Sequence, residues 1–269
     1  MSWRQARQYP PRGQFFAGLH IYCQGSGEPT VVFEAGLGGS YLDFSPVQKQ
    51  VARFTRACTY DRAGLGWSEP SPRPHTAQNA AAELLQALNE AGLKNPVVMV
   101  AHSYGALVAE SIAVQAPDRL AGMILVDPSY PAEARVEGAP SRALAPALPI
   151  LAMLGVWRFR NLFEPLDPRV PPEAGREIDA LTSRTGHLMT FFQEIQAIGE
   201  SSRFLELHPA RLTDRRVTVL ARGLADGSPN LSARHAEQMK LGRFEVVSGT
   251  THFLHLDAPE KVVAAVREF

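Results

Sequence analysis

The stretch at residues 96–115, PVVMVAHSYGALVAESIAVQ, constrains the fold of this chain more than any other part of it. Its first half is a short apolar run rich in β-branched residues, which is typical of a strand buried on both faces. After Ser103, the apolar residues recur with a helical period. A sharp reversal between strand and helix needs small neighbours, and Ala101 and Gly105 meet that need. The stretch therefore predicts a strand, a tight turn at Ser103 and a helix.

The pattern Ala-x-Ser-x-Gly at residues 101–105 is a variant of the GxSxG nucleophile elbow, which holds a serine hydroxyl above a sheet. Short patterns of this kind also arise by chance, and a serine here is equally suited to capping the helix. A nucleophilic serine further requires a base and a site for negative charge. The rest of the chain therefore decides between the two roles of Ser103.

The charge balance argues against two classes of partner. The 269 residues include 27 Lys and Arg and 27 Asp and Glu, so no excess charge favours a nucleic-acid surface or a polybasic membrane patch. The basic N-terminal stretch is not followed by an apolar segment, and no later run approaches about 18 apolar residues. We therefore expect a cytoplasmic protein that binds a small neutral molecule, with no nucleic-acid or membrane partner.

The two cysteines, Cys23 and Cys58, lie in or beside apolar segments that resemble strands. Neither has the spacing to Cys or His residues that is typical of metal or redox sites. They are predicted to be buried, unreactive thiols.

Short apolar runs alternate with helical patterns, which predicts an α/β fold with a mostly parallel sheet and helices on both faces. The first two predicted strands are separated by the turn signal QGSGEP and predict a hairpin. Ser103 and Asp127 stand at carboxyl ends of parallel strands, where functional groups are expected. The predicted strands cover residues 15–22, 30–34, 56–60, 97–101, 120–126, 216–221 and 244–247.

Helix signals complete this pattern. Thr76 is predicted to cap a helix that ends at Gly92. A further helix is expected around residues 232–241. Asp257 is predicted to cap the last helix, which begins with Pro259.

The pattern changes between residues 131 and 210, where prolines cluster and helical apolar stretches replace strands. We therefore predict a core formed by residues 1–130 and 211–269, with residues 131–210 inserted as a helical cap over the sheet. Several large apolar side chains of this insertion are expected in its core or in a pocket: Trp157, Phe159, Phe163, Leu188, Met189, Phe191 and Phe192.

Five motifs now point to one family. In chain order they are VVFEAGLGGS, YDRAGLGWS, VAHSYGALVAE, LVDPSY and GTTHFLHLDAPEKV. Each resembles a motif of the α/β-hydrolase fold superfamily, and together they span roughly residues 30–127 and 216–269. The resemblance implies a serine hydrolase whose catalytic groups follow the order serine, acid, histidine. It identifies Ser103 as the nucleophile.

The histidine and the acid differ in how clearly they are identified. His252 matches the family pattern Gly-x-x-His-Phe before a Pro-Glu helix start, so it is the expected base, and His255 is expected to be structural. Two carboxylates compete for the acid. Asp226 occupies the common position after the strand RVTVLA and is favoured, while Asp127, at the end of the preceding strand, is the alternative. Either aspartate is also suited to an ordinary turn.

The resemblance also implies an oxyanion site, because negative charge builds on the substrate carbonyl oxygen in the transition state. The expected donors are the backbone amides of Leu37, in AGLGG, and Tyr104. Many relatives carry a histidine just before the equivalent glycine, where this chain has Glu34 and Ala35. This departure leaves the amide donors intact and changes the polarity of the pocket.

The resemblance thus implies a carboxylesterase-like enzyme that forms an acyl-enzyme intermediate and needs no cofactor or metal. Its substrate is expected to be a small, largely apolar ester-like molecule, and the protein a monomer or homodimer. Related dehalogenases and epoxide hydrolases use an aspartate nucleophile, so Ser103 argues against both activities. An aminopeptidase, a C–C bond hydrolase and a non-catalytic receptor for a small ligand stay open as alternatives.

Overall fold

Eight strands form one sheet in the computed structural model, which describes residues 8–128, 167–209, 215–223 and 242–269. Their order across the sheet is β1-β2-β4-β3-β5-β6-β7-β8; β2 pairs antiparallel with β1 and β4, and the other pairings are parallel. The prediction of a mostly parallel sheet flanked by helices is confirmed. The strands are β1 Gln14–Phe16, β2 Leu19–Gln24, β3 Val31–Glu34, β4 Ala57–Tyr60, β5 Val97–His102, β6 Leu120–Val126, β7 Arg216–Arg222 and β8 Gly242–Val247.

Helices cover both faces of this sheet. They are α1 Ser45–Val51, α2 Ala77–Glu90, α3 Gly105–Gln115, α4 Pro172–Thr182, α5 Thr185–Leu207, α6 Leu254–Asp257 and α7 Pro259–Val266. Side chains of a strand alternate between faces, so Met99 of β5 packs with α2 and α3, while Val100 packs with α1 and α7. Burial on both faces explains why β5, at the centre of the sheet, is apolar from Val97 to Ala101.

The predicted cap of helix α2 is confirmed. The Thr76 hydroxyl accepts a hydrogen bond from the Asn79 amide at 3.3 Å, as expected of an N-cap. The same prediction for Asp257 is wrong, because helix α7 begins after Ala258 without a side-chain cap. The Asp257 carboxylate instead accepts hydrogen bonds from the amide and the hydroxyl of Thr251, at 2.6 and 2.7 Å, and from Arg169.

The predicted hairpin between the first two strand candidates is also wrong. The hairpin forms within the first candidate, between β1 and β2, and β2 then pairs with β4. Strand β3 is buried at every position and lies between β4 and β5. An apolar strand that is buried on both faces lies in the interior of a sheet. The turn signal before β3 gave no information on this position.

The prediction of two free thiols is wrong as well. Cys23 of β2 lies directly opposite Cys58 of β4, with their Cα atoms 4.0 Å apart, and the two side chains form a disulfide. The two cysteines are 35 residues apart in the sequence, so local patterns could not predict that they would face each other. Disulfides are common in oxidising compartments and rare in the cytosol. The pair therefore weighs against the expected cytoplasmic location, which stays a prediction.

Two helices, α4 and α5, make up most of the described part of the predicted cap. Leu188 and Phe192 of α5 are buried, while Met189 and Phe191 are partly exposed. The division into core and cap stays a prediction, and the predicted helix at 232–241 lies outside the described residues. So do Trp157, Phe159 and Phe163. Within the described ranges, no helix has both the length and the apolar character of a membrane span.

Candidate active site

Ser103 lies at the turn between strand β5 and helix α3, as predicted. Its backbone φ is +52°, in the left-handed region that few non-glycine residues adopt. The Ser103 amide donates to the Val126 carbonyl at 3.1 Å. A side chain at position 105 would bring its Cβ within 2.8 Å of the Glu34 and Ala35 carbonyl oxygens, so glycine is required there. The strained turn and its small neighbour are the local features expected of a nucleophile elbow.

Three side chains form a continuous run of hydrogen bonds at this edge of the sheet, and we call them the serine corner. His252 Nε2 lies 2.9 Å from Ser103 Oγ, and His252 Nδ1 lies 2.6 Å from Asp127 Oδ2. Because the carboxylate only accepts, Nδ1 carries the proton and Nε2 accepts from the serine hydroxyl. The Asp127 side chain is 8% exposed and the His252 side chain 39%, so the imidazole is open to small molecules.

The sheet explains how Ser103 and Asp127 come together. Strands β5 and β6 are parallel neighbours, and their register places His102 opposite Val126. The next residue of each strand is therefore at the same edge and level. The Asp127 amide donates to the Leu220 carbonyl at 2.7 Å, and the Arg222 amide donates to Asp127 Oδ1 at 3.2 Å. Neighbouring strands thus fix both the backbone and the carboxylate of Asp127.

The favoured acid of the sequence, Asp226, lies outside the described residues. Among the described carboxylates, the one that contacts His252 is Asp127, the alternative. His252 stands after β8, where the motif placed it.

Two further histidines lie behind His252. The ring of His102 donates from Nε2 to the His252 carbonyl at 2.8 Å, and His255 packs against His102 with ring centroids 4.4 Å apart. His255 also packs on Phe44, with ring centroids 4.6 Å apart. Burial lowers the pKa of His102 well below its usual range and the pKa of His255 to about 3. Both are therefore neutral supports for the loop that carries His252.

Residues 36–39, GLGG, lie just after strand β3, and we call them the glycine loop. They include Leu37, whose amide was predicted to bind an oxyanion. Arg62 donates from Nη2 to the Gly36 carbonyl at 2.7 Å and from Nη1 to the Ala35 carbonyl at 2.8 Å. The second predicted donor, the Tyr104 amide, lies at the start of helix α3, where amide groups stabilise negative charge.

A buried group of charges lies beside the glycine loop. Arg62 donates from Nη1 to Glu34 at 2.5 Å and from Nε to Glu194 of helix α5 at 2.6 Å. Burial raises the pKa of Glu34 to about 7, and the Arg62 charge opposes that rise. The Tyr60 hydroxyl also donates to Glu34.

Sequence reasoning missed Arg62 and Glu194 as parts of the site. Arg62 was available inside the motif YDRAGLGWS, but its partner is 132 residues away. Glu194 was visible only as a lone acid in the apolar stretch LMTFFQEIQAI. Within the part of the chain that the structure describes, no group of His, Cys, Asp or Glu side chains is arranged to hold a metal ion.

Curated relatives share parts of this sequence. The Bacillus subtilis protein YqjL is 38% identical over 106 residues, which cover 39% of this chain and 42% of YqjL. RutD of Azorhizobium caulinodans, named as a carbamate hydrolase, is 25% identical over 249 residues, covering 91% of each protein. The matched stretches of YqjL and of a Gibberella zeae protein named for the AB hydrolase superfamily cover less than half of either protein, 42% and 32%.

Solved structures share the fold. A thermophilic esterase from Thermogutta terrifontis has a TM-score of 0.69 at 23% identity, covering 93% of this chain and 92% of the esterase. The epoxide hydrolase CorEH has a TM-score of 0.74 at 19% identity, covering 93% and 94%. The family model described as the alpha/beta hydrolase family matches residues 31–266. With its fold and most of its length matched, this chain belongs to the alpha/beta hydrolase family.

Proposed function

We propose that the protein is a serine hydrolase that cleaves carboxylic esters or related small acyl compounds. The observation that carries the proposal is the hydrogen-bonded run from Asp127 through His252 to Ser103, with distances of 2.6 and 2.9 Å. A hydroxyl, an imidazole and a carboxylate in this order are the groups that acyl transfer through a serine requires.

The reaction proposed for these groups proceeds in two halves. Ser103 Oγ attacks the acyl carbon while its proton moves to His252 Nε2, and Asp127 stabilises the resulting imidazolium. His252 then gives that proton to the departing alkoxide, which leaves Ser103 acylated. In the second half, His252 takes a proton from water as the water oxygen attacks the acyl carbon. The proton returns to Ser103 Oγ when the ester bond to the enzyme breaks.

Negative charge on the carbonyl oxygen needs donors in both halves. We assign this role to the amides of Leu37 and Tyr104. The position of Tyr104 before helix α3 and the fixed carbonyl of Gly36 support the assignment. No cofactor is needed for any step of this reaction. We further propose that residues 131–210 form a cap over the core and select small, largely apolar substrates.

We assign Asp127 as the acid of the triad rather than Asp226. The contact of Asp127 with His252 Nδ1 supports this choice. The two amide contacts that fix Asp127 between β6 and β7 support it as well. An acid held in this way orients the imidazole so that Nε2 faces the serine.

Labelling by a fluorophosphonate probe, combined with turnover of p-nitrophenyl esters, tests the proposal. Ser103→Ala should abolish labelling and lower kcat by about 10⁶-fold, because it removes the hydroxyl that forms the acyl-enzyme. Ser111→Ala is the matched control, since Ser111 is a buried serine of helix α3 whose hydroxyl donates to the Leu107 carbonyl. Its labelling and turnover should equal those of the wild type. A wild type that is not labelled, or Ser103→Ala labelled equally, would overturn the proposal.

Carbamate hydrolysis is a second candidate, favoured by the alignment with Azorhizobium caulinodans RutD over 91% of both proteins. The same groups would serve: Ser103 attacks the carbamoyl carbon, and His252 gives the serine proton to the departing phenolate. Water then attacks the carbamoyl-enzyme, with His252 as the base, and the proton returns to Ser103 Oγ as the bond to the enzyme breaks. Comparing kcat/KM for a phenyl acetate with kcat/KM for the unsubstituted phenyl carbamate separates the two. A higher value for the carbamate would make carbamate hydrolysis the main activity.

A further inference from the structure

We propose that Glu194 of helix α5 is a positioning residue for the oxyanion site, holding the glycine loop so that the Leu37 amide faces the substrate. This inference rests on the proposed hydrolase function and on the role assigned there to Leu37. It gives a helix of the predicted cap a part in the chemistry that the core performs.

Side chains from distant parts of the chain hold the two peptide groups that flank Leu37. A peptide group is planar and trans, so its carbonyl and its N–H point in opposite directions. The Gly36 carbonyl accepts from Arg62 Nη2 at 2.7 Å, which fixes the direction of the Leu37 N–H. The Gly38 N–H donates to Glu194 Oε2 at 2.9 Å, which fixes the direction of the Leu37 carbonyl. The Gly36 carbonyl also accepts from the Gly39 amide at 3.1 Å. Side chains outside the glycine loop therefore hold both peptide planes that flank Leu37, and the Gly39 amide adds to one of them.

Glu194 controls both of these contacts. Besides the Gly38 amide, its carboxylate accepts from Arg62 Nε at 2.6 Å and from Arg62 Nη2 at 3.1 Å. The guanidinium that holds the Gly36 carbonyl is therefore itself held by Glu194. Glu34 pairs with the same guanidinium at Nη1, on the core side. Loss of the Glu194 carboxylate would release the Gly38 amide and leave Arg62 anchored on one side only.

Helix α5 contacts Gly38 at two further points. His187 Nε2 donates to the Gly38 carbonyl at 2.8 Å, while its Nδ1 accepts from the Gly66 amide at 3.0 Å. The ring of Phe191 lies so close that a Cβ on Gly38 would be 2.4 Å from Phe191 Cδ2. One face of one helix thus holds the amide, the carbonyl and the Cα of Gly38.

The ion pair between Arg62 and Glu194 is buried, so stability alone does not explain it. Glu194 is 2% exposed and Arg62 5% exposed. A buried ion pair contributes little net stability compared with apolar packing, because both charges lose their hydration. Its directional hydrogen bonds do, however, hold a loop in one geometry. That property is what preorganised amide donors need for transition-state stabilisation.

The test compares Glu194 with a matched buried acid. Glu177 of helix α4 is 1% exposed, and it accepts hydrogen bonds from Tyr41 and Arg12, neither of which belongs to the glycine loop. With p-nitrophenyl esters, we expect kcat to fall about tenfold in Glu194→Gln and about 100-fold in Glu194→Ala, with KM nearly unchanged. Glu177→Gln should retain the wild-type kcat, whatever its effect on the melting temperature.

A second readout separates positioning from a merely structural role. A phenylboronic acid forms a tetrahedral adduct on Ser103 that places an oxygen in the oxyanion site, so its inhibition constant reports the quality of that site. Across the Glu194 variants, this constant should rise by the same factor by which kcat falls. An unchanged kcat, or a fall in kcat without weaker boronate inhibition, would overturn the inference.

The proposed function and this inference fail differently. If the wild type neither hydrolyses esters nor reacts with a fluorophosphonate, the hydrolase proposal itself is wrong. If the wild type is active, Ser103→Ala is inactive and Glu194→Ala is fully active, only the positioning role is wrong. Should the Glu194 variants fail to fold, His187→Ala removes the donor to the Gly38 carbonyl without leaving a buried charge. We expect about a fivefold loss of kcat in that variant, and the same boronate correlation, while full activity would overturn the inference.

Discussion

The serine corner and the glycine loop lie at the same edge of the sheet, but different forces hold them in place. Ser103 and Asp127 follow neighbouring parallel strands, and the register of β5 with β6 brings them to one level. The glycine loop is instead held by charged side chains from distant parts of the chain, Arg62 and Glu194. Backbone pairing thus positions the acid and the nucleophile, whereas buried side chains position the loop. Each arrangement is therefore sensitive to a different kind of change.

Among the variants that separate these two regions, the largest effect is expected from Asp127→Asn, which breaks the hydrogen bonding of the serine corner without changing its shape. An amide in place of the carboxylate favours the wrong tautomer of His252, so kcat for p-nitrophenyl esters should fall by about 10³–10⁴-fold. The control is Asp226→Asn, which should keep nearly full activity. If Asp226→Asn is the more damaging of the two, Asp127 is not the acid of the triad.

The next largest effect is expected from Gly38→Ala, which breaks the glycine loop. The added Cβ would meet the ring of Phe191, and the backbone φ of +61° strains any side chain there. Since the loop must shift, kcat should fall about 30- to 100-fold. Gly38→Ala combined with Phe191→Ala should regain part of that loss. An active Gly38→Ala would show that the contacts of α5 do not fix the loop.

A smaller effect concerns the support behind the serine corner. The pKa of His255 is lowered from 6.5 to about 3 by burial. Between pH 3 and pH 6.5 the imidazole of residue 255 is protonated in the unfolded chain but neutral in the folded protein. The free energy of unfolding therefore increases as the pH rises from about 3 to about 6.5, and it decreases as the pH falls through this range. From pH 7 to pH 5, the free energy of unfolding should therefore fall by about 2 kcal/mol less in His255→Phe than in the wild type. Urea unfolding at the two pH values measures this, and an unchanged difference would contradict a buried, neutral His255.

The smallest effect is expected from Gly199→Ala in helix α5. An added Cβ meets nothing within 4 Å there, and alanine favours helix over glycine by about 0.5–1 kcal/mol. The variant should be more stable by that amount in urea unfolding, with unchanged kcat. A change in kcat would mean that stiffness along the whole helix, rather than its contacts with Gly38, governs the loop.

The sequence predicted the serine corner better than the glycine loop, for a physical reason. Ser103 sits in a local pattern of strand, turn and helix, and such patterns are visible in a single stretch of chain. The choice between Asp127 and Asp226 depends on which strand end faces His252, and that is a matter of sheet order. The contacts of Arg62 with Glu194 join residues 132 positions apart, which no local pattern reveals.

Local patterns also do not reveal which strands pair, and this explains the errors in the fold prediction. The hairpin prediction relied on a turn signal, while the pairing of β3 with β4 and β5 depends on burial on both faces. Cys23 and Cys58 meet only because β2 pairs antiparallel with β4. Long-range pairing decides these features.

The Cys23–Cys58 disulfide has a topological consequence for the glycine loop. The bond closes residues 23–58 into a covalent ring that includes β3, the loop and helix α1. A protease that cuts once inside this ring opens it but releases no fragment, because the two ends stay joined through sulfur. The segment that carries Leu37 is thus tethered at both ends to the neighbouring strands β2 and β4, and reduction of one bond turns that ring back into an open chain.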